Sequence, residues 1–328
     1  MESTHKPAGN FFLRLWGAVR AAFMPALRTS WWLIRITVPI SLGMAVLSHV
    51  GVVQWISEIL TPAFSLIGLD GRGALVFISA VLGHLYTGVA VMFTVGVGLR
   101  EAILLAVMCL ICHNIIIETA IQKRSGASAL GMPLLRVGMA IVAAALLNLI
   151  IPTDIAGQLH GAGKGMQQAD TWGGMLGGWA MTLWPLLLRM VVLITSLNIL
   201  QSILREFGIL DIIAWPLRPL MRLFGLPLST SFLWIICNVI GLTYGGAALI
   251  DELQRGEATP DDARLLNTHV AISHSLLEDT VIFWSVGVPL IWLFVPRLVL
   301  AICAVWVQRL ARRLSRNRKR DTEIITVA

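Results

Sequence analysis

The sequence predicts an all-α protein that crosses a membrane several times. The chain has 328 residues, of which 57% are hydrophobic and 13% are charged, whereas soluble domains carry about 25% charged residues. Its mean hydropathy is +0.80, and several apolar runs reach the roughly 20 residues that a helix needs to span the hydrocarbon core. The short alternating strands that would indicate a membrane β-barrel are not found in the sequence.

An internal repeat is the second observation that defines the fold class. Its two copies span residues 30–152 and 172–308, and short motifs recur between them at offsets of 157 to 161 residues. The matched residues are Leu60/Leu217, Pro62/Pro219, Gly68/Gly225, Leu69/Leu226, Gly83/Gly241, Tyr86/Tyr244, Gly88/Gly246, Ala90/Ala248, His113/His274, Thr119/Thr280 and Arg136/Arg297. Because the offset drifts so little, we expect two copies of one helical unit.

An amphipathic segment at residues 1–29 precedes the first copy. Phe11 to Leu27 mixes aromatic residues with two arginines, which is typical of a helix that lies on the membrane surface. The elements expected after it are a span at 30–50, an interfacial segment at 52–69, an apolar segment at 73–97 broken at 83–88, and spans at 102–121 and 134–151.

A polar linker at residues 153–171 separates the copies, and a basic tail at 309–328 follows the second one. The elements expected between the linker and the tail are a span at 172–204, an amphipathic segment at 205–226, an apolar segment at 229–250 broken at 241–246, and spans at 265–284 and 289–307. The second copy therefore repeats the order of the first.

The distribution of positive charge distinguishes parallel from inverted repeats. If every apolar segment crosses, Lys123, Arg124 and Arg136 face outside, which opposes the enrichment of positive residues at cytoplasmic ends. If the two broken segments are re-entrant hairpins, each copy has three crossings, the copies are inverted and these residues face the cytoplasm. We therefore expect six crossings, two hairpins and both termini in the cytoplasm. The alternative is that each broken segment is one glycine-kinked span.

Each copy carries a histidine and carboxylates within an apolar segment, where ionisable groups are costly and usually functional. The first set is His113, Asn114, Glu118 and Thr119, and the second is His274, Ser275, Glu278, Asp279 and Thr280. Such groups can bind a polar solute or relay protons, and the alternative is a hydrogen-bond network that ties the copies together. Arg136 and Arg297 could pair with these carboxylates or extend to the interface.

The two glycine-rich breaks supply the other candidate residues. Non-helical backbone at membrane depth persists only where protein buries it or water reaches it, so the breaks would offer backbone groups to a ligand. The candidates here are Gly83, Tyr86, Thr87, Gly88, Asn238, Gly241, Thr243, Tyr244 and Gly246. The alternative is that the glycines allow close helix packing. His84 lies in the first break, and Leu242 stands at the equivalent place in the second.

The sequence gives no sign of a cofactor or of enzyme activity. Cys109 and Cys112 precede His113 with the spacing of a haem attachment site, but that chemistry needs a water-facing segment. A histidine with a carboxylate could bind Fe(II), Mn(II) or Zn(II), yet neither copy alone supplies a clear ligand set. We therefore expect no resident metal, with a divalent-metal transporter as the lesser alternative. The Gly-x-x-x-x-Gly-Lys-Ser/Thr loop that would indicate nucleotide-driven transport is not found.

The paired Gly-x-x-Tyr-x-Gly breaks, each followed by a His-Asn or His-Ser helix with an acidic-Thr ending, resemble the nucleoside-recognition, or Gate, domain family. The family includes Gate segments of ferrous iron transporter B, spore maturation membrane proteins and, more distantly, concentrative nucleoside transporters. The resemblance extends over about residues 30–308. It implies an inverted repeat with broken elements and a central polar site built from both copies.

These observations lead to two functional hypotheses. The first is a secondary transporter in the bacterial inner membrane for a small polar solute, with a nucleoside-like solute as a candidate and H+ or Na+ as the coupling ion. The second is a membrane assembly or regulatory protein that does not transport. We expect the lipid bilayer as a partner, no nucleic acid, and either a homo-oligomer or a membrane partner protein as further options.

Overall fold

The computed structural model describes residues 10–155, 159 and 171–327, and for residues 211 and 316–327 it describes the backbone alone. Every regular element within these residues is helical. The α-helices of the first copy are α1 Phe11–His49, α2 Val52–Phe64, α3 Gly71–Leu82, α4 Leu85–Val95, α5 Leu99–Ile111, α6 Ile115–Arg124 and α7 Gly131–Ile150. Those of the second are α8 Trp172–Glu206, α9 Ile209–Leu223, α10 Ser231–Ile235, α11 Leu242–Arg255, α12 Pro260–Ser273, α13 Glu278–Ser285 and α14 Leu290–Val327.

Several of these helices are long and apolar enough to cross a membrane. Within the described residues there are five such segments, or six if α2 and α3, which are bent by 87° at their junction, count as one. The five are Phe11–His49, Leu99–Arg124, Gly131–Ile150, Trp172–Glu206 and Leu290–Ser315. The prediction of an all-α polytopic membrane protein is thereby confirmed, and five of the six predicted crossings coincide with these segments.

The sixth predicted crossing, at residues 265–284, is not among these segments. The chain there is divided between α12 and α13, which are separated by four residues. Asn267, Thr268 and His269 are buried in α12, so the protein supplies the surroundings that such polar side chains need. In the bent pair, α2 corresponds to the segment predicted to be interfacial, and α3 is the first arm of the first broken segment.

The N-terminal segment differs from its prediction. The sequence indicated a surface helix ending near Leu27 and a separate span from Ser30, whereas α1 continues through both. At 1.5 Å per residue its 39 residues extend for about 58 Å, nearly twice the thickness of the hydrocarbon core. Pro25 and Pro39 are accommodated inside the helix. One end of α1 therefore extends beyond the span.

Helices α1 and α8, which open the two copies, pack against each other in opposite directions. Near one end of the pair, the Ser202 hydroxyl donates a hydrogen bond to the Ala18 carbonyl over 2.9 Å. Near the other end, the Trp179 indole donates to the Ser41 hydroxyl over 3.1 Å. Residue numbers rise along α1 while they fall along α8, so these two helices are antiparallel. An inverted repeat requires this of the helices that open its copies.

The first broken segment forms a helical hairpin. The Arg72 guanidinium, at the start of α3, donates to the carbonyls of Val95 and Gly96, at the end of α4, over 3.2 and 3.1 Å. The chain reverses at Gly83 and His84. With 12 and 11 residues, each arm extends for less than about 20 Å, which is too short to span a bilayer.

The second broken segment also reverses at a glycine. Helix α10 continues into a π-helical turn, Ile236–Ile240, and α11 begins directly after Gly241. Gly241 has φ +110° and ψ 164°, a backbone region that is accessible essentially to glycine alone. A Cβ atom at Gly245 would lie 2.2 Å from the Cys237 sulfur, so the two arms are in close contact beside the turn.

The helix that follows each hairpin is itself interrupted, and the two interruptions share a backbone conformation. Asn114, between α5 and α6, has φ +44°, and Ser275, between α12 and α13, has φ +50°. The backbone N–H of Asn114 donates to the Ala80 carbonyl, and the backbone N–H of Ser275 donates to the Cys237 carbonyl, each over 3.0 Å. Each interruption is thus held against the tip of the preceding hairpin by the same kind of bond.

Candidate functional site

The two interrupted helices bring their histidines and carboxylates together. Glu118 Oε1 lies 3.1 Å from His113 Nε2, and Glu118 Oε2 lies 3.2 Å from His274 Nε2. Asp279 Oδ2 lies 3.5 Å from His113 Nε2. These four side chains, which we call the central cluster, are each no more than 6% exposed. The cluster therefore joins residues of the two copies in one buried polar group.

The imidazole rings of the cluster have a fixed orientation. His113 Nδ1 is 2.9 Å from the Cys109 carbonyl, and His274 Nδ1 is 2.8 Å from the Val270 carbonyl. Because a carbonyl oxygen can only accept, each Nδ1 carries the proton and donates it. Each Nε2 atom therefore faces the carboxylates, and the ring centroids lie 5.1 Å apart.

Two fully buried arginines, Arg136 and Arg297, donate hydrogen bonds to backbone carbonyls at the two interruptions. Arg136 donates to the Ile111 and His113 carbonyls over 2.8 and 2.9 Å. Arg297 makes the equivalent bonds, to the carbonyls of Ile272 and His274. Each arginine satisfies carbonyls that the interrupted helix leaves unpaired. Both side chains are 0% exposed, so they do not extend to the interface.

The remaining guanidinium contacts differ between the copies. Arg136 Nη1 lies 2.6 Å from Glu118 Oε2, whereas Arg297 Nη1 donates to the Thr280 hydroxyl over 3.3 Å. Thr280 is buried, while its counterpart Thr119 is half-buried. The sequence left two alternatives for Arg136, pairing with a carboxylate or extension to the interface, and the contact with Glu118 agrees with the first.

Several polar atoms of the cluster lie close together without the alignment of a hydrogen bond. Within the described part of the chain, no hydrogen-bond partner is found for Glu118 Oε2, Arg136 Nη1, His274 Nε2 or Asp279 Oδ2. The Glu118–Arg136 contact is therefore a close ion pair and the Glu118–His274 contact is a close approach of two polar atoms, and neither has the alignment of a hydrogen bond. Unsatisfied buried polar atoms cost free energy, and their concentration at one point indicates a place where a ligand or ion could bind.

The first hairpin places its tip beside the central cluster. The His84 ring stacks on Tyr86 at a centroid distance of 5.8 Å and meets the His113 ring edge-on at 6.1 Å. Thr87 is fully buried, with its hydroxyl 3.5 Å from that of Thr37. The sequence left the role of His84 open, and the structure puts its ring beside His113 of the cluster.

A cavity lies on the outer side of this hairpin tip. It has a volume of about 330 Å³ and reaches Gly83, His84 and Asn114 between α1, α3 and α6. Its remaining walls are mainly apolar and include Trp32, Ile36, Ile40, Ile78, Leu82 and Ile117. A small-molecule site is generally a concave, mostly apolar space with a few convergent polar groups, and this cavity has that character.

The second hairpin approaches the chain next to the central cluster through its glycine turn. A Cβ atom at Gly241 would lie 3.6 Å from the Ser275 hydroxyl and 4.0 Å from Glu278 Oε2. The Gln201 side chain, from α8, donates to Glu278 Oε2 over 3.2 Å. Asn238 is buried and donates its side-chain amide to the Trp234 carbonyl. Gln201 was not among the predicted residues, because nothing in the local sequence places it near Glu278.

Some candidate residues lie apart from the cluster. Thr243 and Tyr244 are exposed, and the Arg205 guanidinium lies 4.9 Å from the Tyr244 ring centroid. Tyr86, at the equivalent place, is 3% exposed. The π-helical turn before Gly241, which α3 lacks before Gly83, distinguishes the two hairpins. The equivalent tyrosines thus have different surroundings.

Two of the candidate glycines are placed for packing. A Cβ atom at Gly88 would lie 2.9 Å from the Ala80 Cβ atom within the first hairpin. One at Gly246 would lie 2.3 Å from the Ile121 side chain of the other copy. These contacts agree with the alternative that glycines allow close helix approach.

A second polar contact joins the copies away from the cluster. The Gln122 side chain donates to the Asn267 carbonyl over 3.2 Å, and the Asn267 amide donates to the Ser125 hydroxyl over 3.0 Å. All three side chains are buried. This contact was not predicted, because the residues that form it are more than 140 positions apart along the chain.

Comparison with known proteins agrees with this architecture. Residues 30–129 match the family model described as Gate, nucleoside recognition. These residues are therefore similar to a Gate domain. The matched region contains α2 to α6, and so it includes the first hairpin together with His113 and Glu118. The resemblance stated from the sequence is confirmed for this region.

A curated relative extends the likeness over both copies. The chain is 29% identical over 284 residues to YvoD, an uncharacterized membrane protein of Bacillus subtilis strain 168. The matched region covers 86% of this chain and 91% of that protein. No solved structure matches the chain. The Gate match and the membrane relative support an integral membrane protein and suggest a transport-related role.

Proposed function

We propose that the chain is a secondary transporter for a small polar solute, with its binding site between the two copies. The observation that carries this proposal is the central cluster, in which Glu118 and Asp279 from different copies meet two histidines. Ionisable groups at membrane depth commonly mark solute or proton pathways. Transporters built from inverted repeats bind at the interface of the repeats, where interrupted helices present polar groups.

The residues divide into two groups by their suggested role. Initial solute contacts come from His84, Asn114 and the Gly83 backbone, which line the cavity of about 330 Å³ in the first copy beside the central cluster. Proton coupling involves His113, His274 and Glu118, whose distances of 3.1 and 3.2 Å are within the reach of direct proton transfer. In this arrangement the cluster is buried, which corresponds to an occluded state. Transport would require the hairpin tips to separate from the interrupted helices.

The suggested orientation and partners follow from the same arrangement. Inverted copies with the N-terminus in the cytoplasm put Lys123 and Arg124 there too, in accord with the charge rule. The membrane would be the bacterial inner membrane. A nucleoside-like solute is the first candidate because of the Gate match, and H+ is favoured over Na+ as the coupling ion because the cluster contains two imidazoles.

Uptake into proteoliposomes tests this proposal. The purified chain is reconstituted with a panel of radiolabelled nucleosides, nucleobases and amino acids, with and without an imposed pH gradient. Uptake that is stimulated by the gradient and lost in Glu118→Gln, but retained in Glu58→Gln on α2, is the expected result. Thermal unfolding of both variants checks that they are folded. A folded wild-type chain that moves none of these solutes would favour the assembly protein.

A further inference from the structure

The two imidazoles of the central cluster present their unprotonated nitrogens to carboxylates. His113 and His274 each donate from Nδ1 to a backbone carbonyl, so a neutral ring has a lone pair at Nε2. That lone pair faces an anionic oxygen of Glu118 or Asp279 at 3.1 to 3.5 Å. Two acceptors at this distance repel each other. A cation between them, either a proton on each ring or one shared metal ion, removes the repulsion.

The geometry points to the metal ion. We propose that His113, Glu118, His274 and Asp279 form a binding site for one divalent transition metal ion that bridges the two copies. The ligand atoms of His113, Glu118 and His274 all lie within 4.8 Å of one another. A bound ion would take the place of the protons at these residues, so this proposal does not rest on the proton coupling suggested above, and its test measures binding alone.

Three of the distances between ligand atoms are close to those of a tetrahedral site. Metal–ligand bonds of about 2.1 Å at tetrahedral angles put neighbouring ligand atoms about 3.4 Å apart. His113 Nε2 lies 3.1 Å from Glu118 Oε1 and 3.5 Å from Asp279 Oδ2, and His274 Nε2 lies 3.2 Å from Glu118 Oε2. Because the two histidines approach different Glu118 oxygens, an ion bound to both imidazoles would take both oxygens or require the carboxylate to turn.

The alignment of the His274–Glu118 contact favours an ion over a shared proton at that place. A proton shared by His274 and Glu118 requires the N–H to point at the oxygen, yet within the described residues His274 Nε2 and Glu118 Oε2 have no aligned partner. A metal ion binds along each lone pair and does not need the two ligand atoms to point at each other.

The groups around the cluster are those that support metal ligands. A metal-bound histidine usually donates its other nitrogen to a carbonyl or carboxylate, as both histidines do here. Ligating carboxylates are in turn held by other groups, and Arg136 lies 2.6 Å from Glu118 Oε2.

The charge of the surroundings also accommodates a divalent ion. Besides Glu118 and Asp279, the nearby Glu278 adds a third carboxylate, and Arg136 and Arg297 supply two guanidinium groups. With neutral imidazoles the group carries one excess negative charge. A divalent ion changes it to one excess positive charge, as two imidazole protons would. Mixed nitrogen and oxygen ligands of this kind suit Zn(II), Mn(II), Fe(II) or Co(II).

The binding of Co(II) and Zn(II) to the full chain in detergent tests the proposal. The protein is stripped with a chelator, titrated with Co(II) by optical absorption, and then titrated with Zn(II) in competition. We expect one Co(II) per chain with the absorption of a tetrahedral site, displacement by one Zn(II), and a raised melting temperature. In His274→Gln the affinity should fall by more than the roughly 10- to 100-fold typical of losing an outer-shell partner.

The control is His49→Gln, which removes a half-buried histidine at the end of α1 that packs on Trp172. This variant should bind as the wild type does. If His274→Gln does not fold, X-ray absorption of the Co(II)-loaded wild type identifies the ligands instead, because the proposed site requires two imidazoles and oxygen ligands. The proposal is overturned if the stripped wild type binds no stoichiometric ion, if His49→Gln abolishes the binding, or if fewer than two imidazoles are bound.

Discussion

The buried pair of Arg136 and Glu118 offers the most quantitative test of the cluster. The Arg136 side chain is 0% exposed and that of Glu118 is 8% exposed, and their charged atoms are 2.6 Å apart. Removing one partner of such a pair leaves an uncompensated buried charge, which typically costs about 3–5 kcal/mol. We expect Arg136→Met to lower the free energy of unfolding by about this amount.

A double-mutant cycle separates the pair from the other contacts of Arg136. Adding Glu118→Gln to Arg136→Met removes the unpaired carboxylate, so the double variant should be less destabilised than the sum of the single variants. The interaction free energy expected for residues in contact is about 0.5–3 kcal/mol. Because this contact is buried and shorter than 3 Å, we expect a value in the upper half of that range. Equilibrium unfolding in detergent, followed by tryptophan fluorescence, provides the measurement.

The second copy supplies a matched control for the cycle. Arg297 has the same burial and makes the equivalent carbonyl bonds, but its Nη1 donates to Thr280 rather than contacting Glu118. Arg297→Met combined with Glu118→Gln should therefore show a smaller interaction free energy than the Arg136 cycle. Equal values for the two cycles, or a value near zero for Arg136 with Glu118, would refute the account of this contact.

Two further predictions concern the fold. Gly241→Ala should destabilise the protein by about 1–3 kcal/mol in a thermal unfolding assay, because φ +110° is a strained conformation for alanine. The control is Gly138→Ala in α7, where a Cβ meets open space; it should be neutral or stabilising in this assay. Cysteines at Ala18 and Ser202 should form an oxidative crosslink within one chain on gels, whereas a parallel arrangement of α1 and α8 would separate them and prevent it.

The sequence was sufficient to identify the class of fold and the residues of the cluster. Apolar runs of adequate length predicted the crossings because a bilayer imposes a minimum helix length. The cost of ionisable groups in such runs singled out His113, Glu118, His274 and Asp279. A polar site built from both copies was expected, but its individual contacts, such as that of Glu118 with His274, could not be predicted, since they depend on how the two copies pack against each other.

The departures from prediction have similar physical causes. The amphipathic pattern that ends near Leu27 suggested a helix end, yet α1, which packs along α8, continues through this point. Tyr86 and Tyr244 are equivalent in sequence, but a single π-helical turn distinguishes the hairpins that carry them. The spacing of motifs predicts neither effect. Arg297 is buried because it donates to the carbonyls that the interrupted helix leaves unpaired. The positions of these carbonyls follow from the backbone geometry and could not be inferred from the sequence.

The central claim is that the two copies are inserted in opposite directions and meet at the cluster. Gly98 and Glu257 test it most directly, because both are exposed and follow the hairpin at equivalent places in the two copies. Each is replaced by cysteine in a chain whose native cysteines have been removed, and intact cells are labelled with an impermeant thiol reagent. The account predicts labelling of Gly98→Cys from outside and of Glu257→Cys only after the cells are opened. Labelling of both from the same side would contradict it.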